Sequence, residues 1–490
     1  MHFPRISPKV SVGVVFVAAM FMSIMDSTIV NVALPSLAHD FGVAGTAIEA
    51  VVVAYLVSLA IVIPVSGWLG DRFGTKRIFL SALALFTIAS ALCGLATSLP
   101  MLVVFRVFQG LAGGALAPVG TALLYRTFPQ EERIHVSRVL NIPTVFAPAM
   151  GPVIGGLLID KLSWHWVFYV NVPIGVLAFV FGLLFLREMH ERVNVGFDVA
   201  GFLLAGFGLA LTMYALSEGP SQGWTNPGIL ISGALGLMTL VVFVNIELRV
   251  KQPMLDLRLL KNRPFRTCNT VALFSGAGFM GLLYAAPLFL QVGRGVSALT
   301  SGLTTFPEAL GVLVSTQIAA RLYPKVGPRR LVIFGLSCVT ILMGLMFFVG
   351  QNTDLWLMRI LMFLIGAGMA SSFIPIQVAA FATISPAATG QASALNNARL
   401  QVGASLGVAL ISSVISFVGI TQVNANGAVV ANLASYHTAF IVSAILVLIA
   451  TGIGFTIHDS DAASTMKSRP NETAKQDAIL DVTPGVEAVL

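Results

Sequence analysis

SVGVVFVAAMFMSIMDSTIVNVALPSL, residues 11–37, is an apolar run that carries one charge, Asp26. At 1.5 Å per helical residue, about 20 apolar residues cross a hydrocarbon core of roughly 30 Å. The run therefore predicts a membrane-spanning helix. An acid near the middle of such a helix costs roughly 2.5–3.5 kcal/mol on insertion scales, so an intramembrane Asp faces a bundle interior or a wet cavity and has a task there. Arg5 and Lys9 precede the run much as cations precede a signal peptide. Asp26 interrupts the run, however, and many more apolar stretches follow, which favours an uncleaved first span.

Working outward, the 490 residues are 57% hydrophobic and only 10% charged, with a mean hydropathy of +0.90. Soluble domains carry about 25% charged residues, so the chain is an all-α polytopic membrane protein. Its net charge of +7 and pI near 9.5 do not indicate a nucleic-acid partner, because no basic face or soluble domain gathers the cations. Apolar runs predict fourteen spans, near 12–33, 47–69, 78–97, 100–125, 136–159, 164–186 and 198–217, then 227–248, 268–291, 301–323, 331–350, 355–381, 397–420 and 436–457. With the N-terminus in the cytoplasm, 23 of the 28 Lys and Arg fall in inside segments and only Lys161 and Arg294 outside. Arg106, Arg359 and Arg399 fall within spans. By the positive-inside rule both termini are cytoplasmic, in a cell inner membrane crossed many times.

Distant segments repeat. Gly74 and Gly327, Arg106 and Arg359, and Gly113 and Gly366 each stand 253 positions apart. Such an offset predicts internal duplication, common in transporters. It divides the chain into a six-helix bundle (1–190), an inserted helix pair with cytoplasmic linkers (191–261), a second six-helix bundle (262–458) and a polar, disordered cytoplasmic tail (459–490).

Depth arithmetic places three charges in one layer. Asp26 lies roughly 9 Å below the outer membrane edge, Arg106 about 9–10 Å and Glu308 about 10–11 Å. Burial raises a carboxylate pKa and a nearby Arg lowers it, so such an acid suits proton uptake and release. Asp26, Arg106 and Glu308 are accordingly the candidates for proton coupling. A proton entering and a substrate leaving through the same acid would drive export.

The loop GWLGDRFGTKR, residues 67–77, reads as a turn with topology-setting cations. It also resembles the signature between helices 2 and 3 of the major facilitator superfamily. That resemblance implies a cytoplasmic latch between the two halves, with Gly67, Asp71, Arg72, Gly74 and Arg77 at the matching positions. Thr75 stands where a cation is frequent. Arg106, Gln109 and Gly110 resemble the helix 4 signature, whose Arg is implicated in proton transfer. Pro148, Gly151, Pro152, Gly155 and Gly156 resemble the helix 5 antiporter signature of exporters. By physics alone these small residues at four-residue spacing form a close-packing face. Asp26 to Pro35, with Asn31, and Trp164 to Pro173, with Asn171, are similar to segments of the fourteen-helix drug:proton antiporter family, of the EmrB/QacA type.

Other chemistries leave no trace. No Gly-Lys pair occurs, which excludes a Walker A loop. The seven histidines form no HExxH pair, His437 reads as interfacial, and Cys93, Cys268 and Cys338 lack metal-ligand spacing. The expectation is therefore a transporter and no enzyme, with no cofactor beyond the coupling proton. It would export hydrophobic or amphipathic compounds by alternating access. Asp26 and Glu308 favour cations, while Arg106 and Arg399 keep anionic or zwitterionic lipids and metabolites open. Rival readings are a proton-coupled transporter of a lipid or polar metabolite and, from another class, a membrane-embedded sensor or enzyme. Expected partners are the small-molecule substrate and membrane lipid, with room for a periplasmic adaptor protein, and the functional unit is expected to be a monomer.

Overall fold

A computed structural model describes residues 7–43, 48, 50–128, 146–147, 150–151, 153–159, 161–188, 198–250, 253, 255–385, 388–419, 421–423 and 429–466. The first half contains α1 (Pro8–Phe41), α2 (Ala50–Phe73), α3 (Thr75–Gly94), α4 (Leu99–Thr127), helical residues at 150–151 and 153–159, and α5 (His165–Tyr169) followed by α6 (Asn171–Phe185). The inserted pair is α7 (Val199–Gln222) and α8 (Pro227–Glu247). The second half holds α9 (Arg263–Leu288), α10 (Ala298–Thr305), α11 (Pro307–Val326), α12 (Pro328–Leu345), α13 (Leu355–Phe381), α14 (Thr389–Val418) and α15 (Leu433–Gly454).

Among the described residues, twelve helices are long and apolar enough to cross a membrane. The expected tenth span is realised as α10 and α11, separated at Phe306, and α11 carries Glu308, Arg321 and Lys325. Much of the expected fifth span, 136–159, lies outside the described residues. The expected first span, 12–33, is too short: α1 continues through Pro35 to Phe41, where Gly42 ends it at φ 61°. A short antiparallel hairpin, Thr421–Val423 with Val429–Ala431, went unforeseen. Three residues per strand give too little alternation to register as a pattern.

Helix ends follow local chemistry. Asn262, Asp354 and Asn432 cap α9, α13 and α15 by accepting from backbone N–H groups of the first turn, which satisfies donors that a helix start leaves open. Gly74 and Gly327 join α2 to α3 and α11 to α12 at φ 99° and 85°. A side chain there would be strained, so the duplicated glycines serve duplicated turns. The repeat extends to packing, because α2 lies along α4 as α11 lies along α13.

Each half has its own apolar core. In the first, Val15, Phe79, Phe86 and Leu116 pack together; in the second, Phe265, Leu336, Met362 and Phe440 do so. α7 and α8 pack on each other, and α7 packs against both α2 and α14, so the pair touches both halves. At the end nearer the Arg and Lys-rich loops, Val65 of α2, Ala205 of α7, Phe243 of α8, Leu255 of the linker and Ala394 of α14 share one small core. At the opposite end the Trp224 indole N–H donates to the Ser413 hydroxyl at 2.6 Å.

The expected disordered tail requires correction at its start. Asp459–Thr465 forms a 3-10 helix. The Asp459 carboxylate accepts from the Arg329 backbone N–H at 3.0 Å, and the Thr465 and Tyr323 hydroxyls lie 2.7 Å apart. The segment's polar composition predicts little apolar burial, but it is held by polar bonds to the α11–α12 turn and by Ala462, which is buried in the core of the second half. Residues 467–490 lie outside the described residues.

Candidate functional site

Asp26 of α1, Arg106 and Gln109 of α4, Asn171 at the start of α6 and Ser90 of α3 converge in the first half, each at most 1% exposed. Arg106 and Gln109 are three residues apart on a helix and so share a face. The Arg106 guanidinium donates through Nη1 to Asp26 Oδ2 at 2.6 Å and to Gln109 Oε1 at 2.7 Å, and through Nε to the Val51 carbonyl at 3.3 Å. Gln109 Nε2 and Asn171 Nδ2 donate to Asp26 Oδ1 at 2.9 and 2.8 Å. The carboxylate thus receives three donors. Asn171 Nδ2 also lies 3.1 Å from Ser90 Oγ, whose hydroxyl donates to the Phe168 carbonyl at 2.9 Å.

An apolar lid completes the site. The Tyr55 ring lies 4.2 Å from the Arg106 guanidinium carbon and the Phe168 ring 5.9 Å, distances at which an aromatic face attracts a cation. Tyr55 reaches this position because α4 carries glycine at 110 and 113. A side chain at Gly110 would run into the Tyr55 carbonyl and the Ser58 side chain, and one at Gly113 would crowd the Tyr55 hydroxyl. The signature glycine at 110 therefore sets the approach of α2 to α4, and with it the lid over Arg106.

Gly151 and Gly155 sit against α1 just beyond Asp26. A Cβ on Gly151 would collide with the Thr28 side chain, and one on Gly155 with Ile29, whereas Gly156 faces open space. Pro148 and Pro152 lie outside the described residues. Gly151→Val should therefore push the fifth span off α1 and lower stability by about 1–3 kcal/mol, as overpacking does. Gly156→Val should be close to neutral. Thermal unfolding of the purified protein checks both, and equal effects at the two positions would refute the packing face.

The three charges expected in one layer do not form one bonded cluster. Glu308 lies in the first turn of α11, in the second half, with its backbone against Gly366 of α13. Its carboxylate is bonded to neither Asp26 nor Arg106, and it has no hydrogen bond or ion pair among the described residues. Depth arithmetic fixes height in the membrane and says nothing about position around the bundle. Arg359, the repeat counterpart of Arg106, stacks on Trp356 at 4.7 Å. At the same offset, Met362 and Met343 stand where the first half has Gln109 and Ser90, both buried. The polar cluster is thus a property of one half.

The loop signature also differs from expectation. Asp71 pairs with Arg126 at 2.5 Å, and Arg126 donates to the Thr75 hydroxyl at 2.7 Å. Among the described residues Asp71 therefore ties α2 to α4 within the first half, and no bond from it to the second half is seen. Thr75, the departure from the signature, is buried and makes the hydroxyl contact that a cation could not. Lys76 donates to the Leu186 carbonyl at 2.5 Å, and Arg77 lies 3.9 Å from Glu188, binding the start of α3 to the end of α6. Gly67 lies in the last two turns of α2 and Arg72 is exposed.

Sequence reading found Asp26, Arg106 and Gln109 but gave Asn171, Ser90 and Tyr55 no role. Asn171 carried a signal, as a lone amide in an apolar run. Ser90 and Tyr55 carried none, since both residue types are common in membrane helices.

Residues 16–408 match the model of the Major Facilitator Superfamily. The chain belongs to the major facilitator superfamily. It is a multi-pass membrane transporter and not an enzyme. It is 33% identical over 407 residues to a multidrug resistance protein B homolog of Mycobacterium tuberculosis, covering 82% of this chain and 75% of the relative. It is 30% identical over 410 residues to the uncharacterized MFS-type transporter YhcA of Bacillus subtilis, covering 82% and 76%. The crystal structure of the human organic anion transporter MFSD10 superimposes with a TM-score of 0.65 at 15% identity, covering 91% of this chain and 99% of the other. At that identity the likeness concerns the fold alone.

Proposed function

We propose that this transporter is a proton-driven antiporter of the fourteen-helix drug:proton type, exporting hydrophobic or amphipathic compounds by alternating access. The observation that carries this reading is the Asp26–Arg106 pair, which is wholly buried in a membrane bundle and held by two amides. A merely structural pair of this kind is expensive, and apolar residues of similar volume often do as well or better. An intramembrane acid facing a bundle interior beside a cation is a natural site for a coupling proton. The multidrug name of the mycobacterial relative supports drugs as cargo.

The two halves meet on two sides. The Phe146 and Phe306 rings lie 6.2 Å apart across one side, and α14 packs on α2 and α4 across the other. Glu308 stands two residues from Phe306 with no hydrogen-bond or ion-pair partner among the described residues, which favours cationic cargo. In this reading both termini face the cytoplasm of an inner membrane and a monomer suffices. Protein in liposomes should accumulate a cationic amphiphilic dye against its gradient when the pH difference is imposed, and lose most of that accumulation when a protonophore collapses it. Equal accumulation with and without the pH difference would refute proton coupling. Equal handling of a neutral dye of similar size would refute the cationic preference.

A further inference from the structure

We propose that Asn171 reads the protonation state of Asp26 by turning its side-chain amide over, and passes that state to the contact between α3 and α5. This rests on the reading that Asp26 takes the coupling proton. The charged or titratable groups facing Asp26 are Arg106 from α4, Tyr55 from α2 and Cys93 from α3.

The argument is one of donors and acceptors. An ionised carboxylate only accepts, whereas a protonated one carries an O–H that needs an acceptor. The Arg106 guanidinium holds Asp26 Oδ2, so an arriving proton is directed to Oδ1. Two N–H donors, from Gln109 and Asn171, already point at Oδ1. One of them must give way and present an oxygen instead. Gln109 is not free to do so, because its Oε1 accepts from Arg106 Nη1 at 2.7 Å and from Cys93 Sγ at 3.5 Å. Asn171 is free, because its Oδ1 is buried with no hydrogen-bond partner. Leaving a buried acceptor unmade costs about 1–3 kcal/mol. Half a turn about Cβ–Cγ brings that oxygen to the Asp26 O–H and gives it the bond it lacks, in exchange for the two bonds that Nδ2 makes now to Asp26 Oδ1 and Ser90 Oγ.

The turn has a consequence one residue further on. Asn171 Oδ1 would take the place of Nδ2, 3.1 Å from Ser90 Oγ. Two oxygens tolerate that distance only if a hydrogen lies between them. The Ser90 hydroxyl must then swing from the Phe168 carbonyl, its present acceptor at 2.9 Å, to Asn171. Phe168 belongs to α5 and lies two residues before Val170, where α5 runs on into α6, so the released tie is the one beside that junction. The Tyr169 hydroxyl, donating to the Gly94 carbonyl at 2.7 Å, keeps the neighbouring turn in place as a pivot. No bond other than the new O–H is made or broken covalently, and the proton comes from the medium.

Infrared difference spectra of the full-length protein in liposomes, with asparagine side chains carbon-13 labelled, test this across a pH titration. The expected result is a carboxyl band, absent in Asp26→Asn, and a labelled amide band that shifts with the same midpoint. The amide shift should vanish in Asn171→Leu, together with at least about tenfold of the pH-driven accumulation, roughly 1.4 kcal/mol. An Asp26 carboxyl band that titrates while the labelled amides of the unmutated protein stay unchanged overturns the role of Asn171 and leaves the Asp26 reading intact. Undiminished accumulation in Asn171→Leu overturns it as well. Absence of any Asp26-dependent carboxyl band overturns the Asp26 reading itself, and the role of Asn171 with it. The measurement on labelled, unmutated protein decides the matter even if Asn171→Leu does not fold.

Discussion

Asp26→Asn should leave a folded, membrane-inserted protein that has lost gradient-driven transport, with accumulation falling to the level of empty liposomes. Asparagine keeps the shape of the side chain and one acceptor for Arg106, but it cannot take up a proton in the working pH range. Arg106 keeps the Gln109 oxygen, the Val51 carbonyl and the face of Tyr55, so its charge is not stranded. A reduced thermal midpoint is expected, since weakening a buried pair from one side is costly. Uptake driven by a pH difference in liposomes, with inserted protein quantified in the same sample, makes the comparison. Full gradient-driven accumulation by Asp26→Asn would show that the coupling proton binds elsewhere.

Arg106→Leu should be the more damaging change to the fold. It leaves the Asp26 carboxylate in an apolar bundle with only two neutral amides, where removal of one partner of a buried pair costs about 3–5 kcal/mol. The same substitution made together with Asp26→Leu removes both charges and should recover most of that loss, because an apolar replacement of a buried pair is often neutral or stabilising. Denaturation of the four proteins in detergent yields the coupling energy directly. If the double variant is no more stable than Arg106→Leu alone, the pair does not have the energetic role its geometry assigns. Neither variant should sustain proton-driven transport, so a stable, inactive double variant would separate the contribution to the fold from the contribution to function.

Much of this protein was legible along the chain because a bilayer is a severe solvent. It demands long apolar helices, and those are visible in any window of twenty residues. The same severity made Asp26 and Arg106 conspicuous. Gln109 entered with Arg106 through the resemblance to the helix 4 signature. Glu308 shows the limit of that reasoning: rise per residue gave a height, and height alone joined it to a site in the other half. Asp71 shows a second limit, since a charge in a loop signals that it has a partner but not which helix end supplies it. Asp459–Thr465 shows a third, for composition cannot foresee a polar segment held by bonds to a distant turn.

The sequence by itself determined the class and the two charged residues on which the proposed chemistry rests, because each is a matter of local hydropathy or charge. Only the tertiary structure decided that the charges meet, that Asn171 and Ser90 complete their shell, and that Glu308 does not belong to it. Those contacts join residues about 80 to 145 positions apart, and they depend on how neighbouring helices rotate about their own axes. Glycines such as Gly110 and Gly151 set that rotation through close packing, and a pattern read along one helix does not record which face its neighbour will meet.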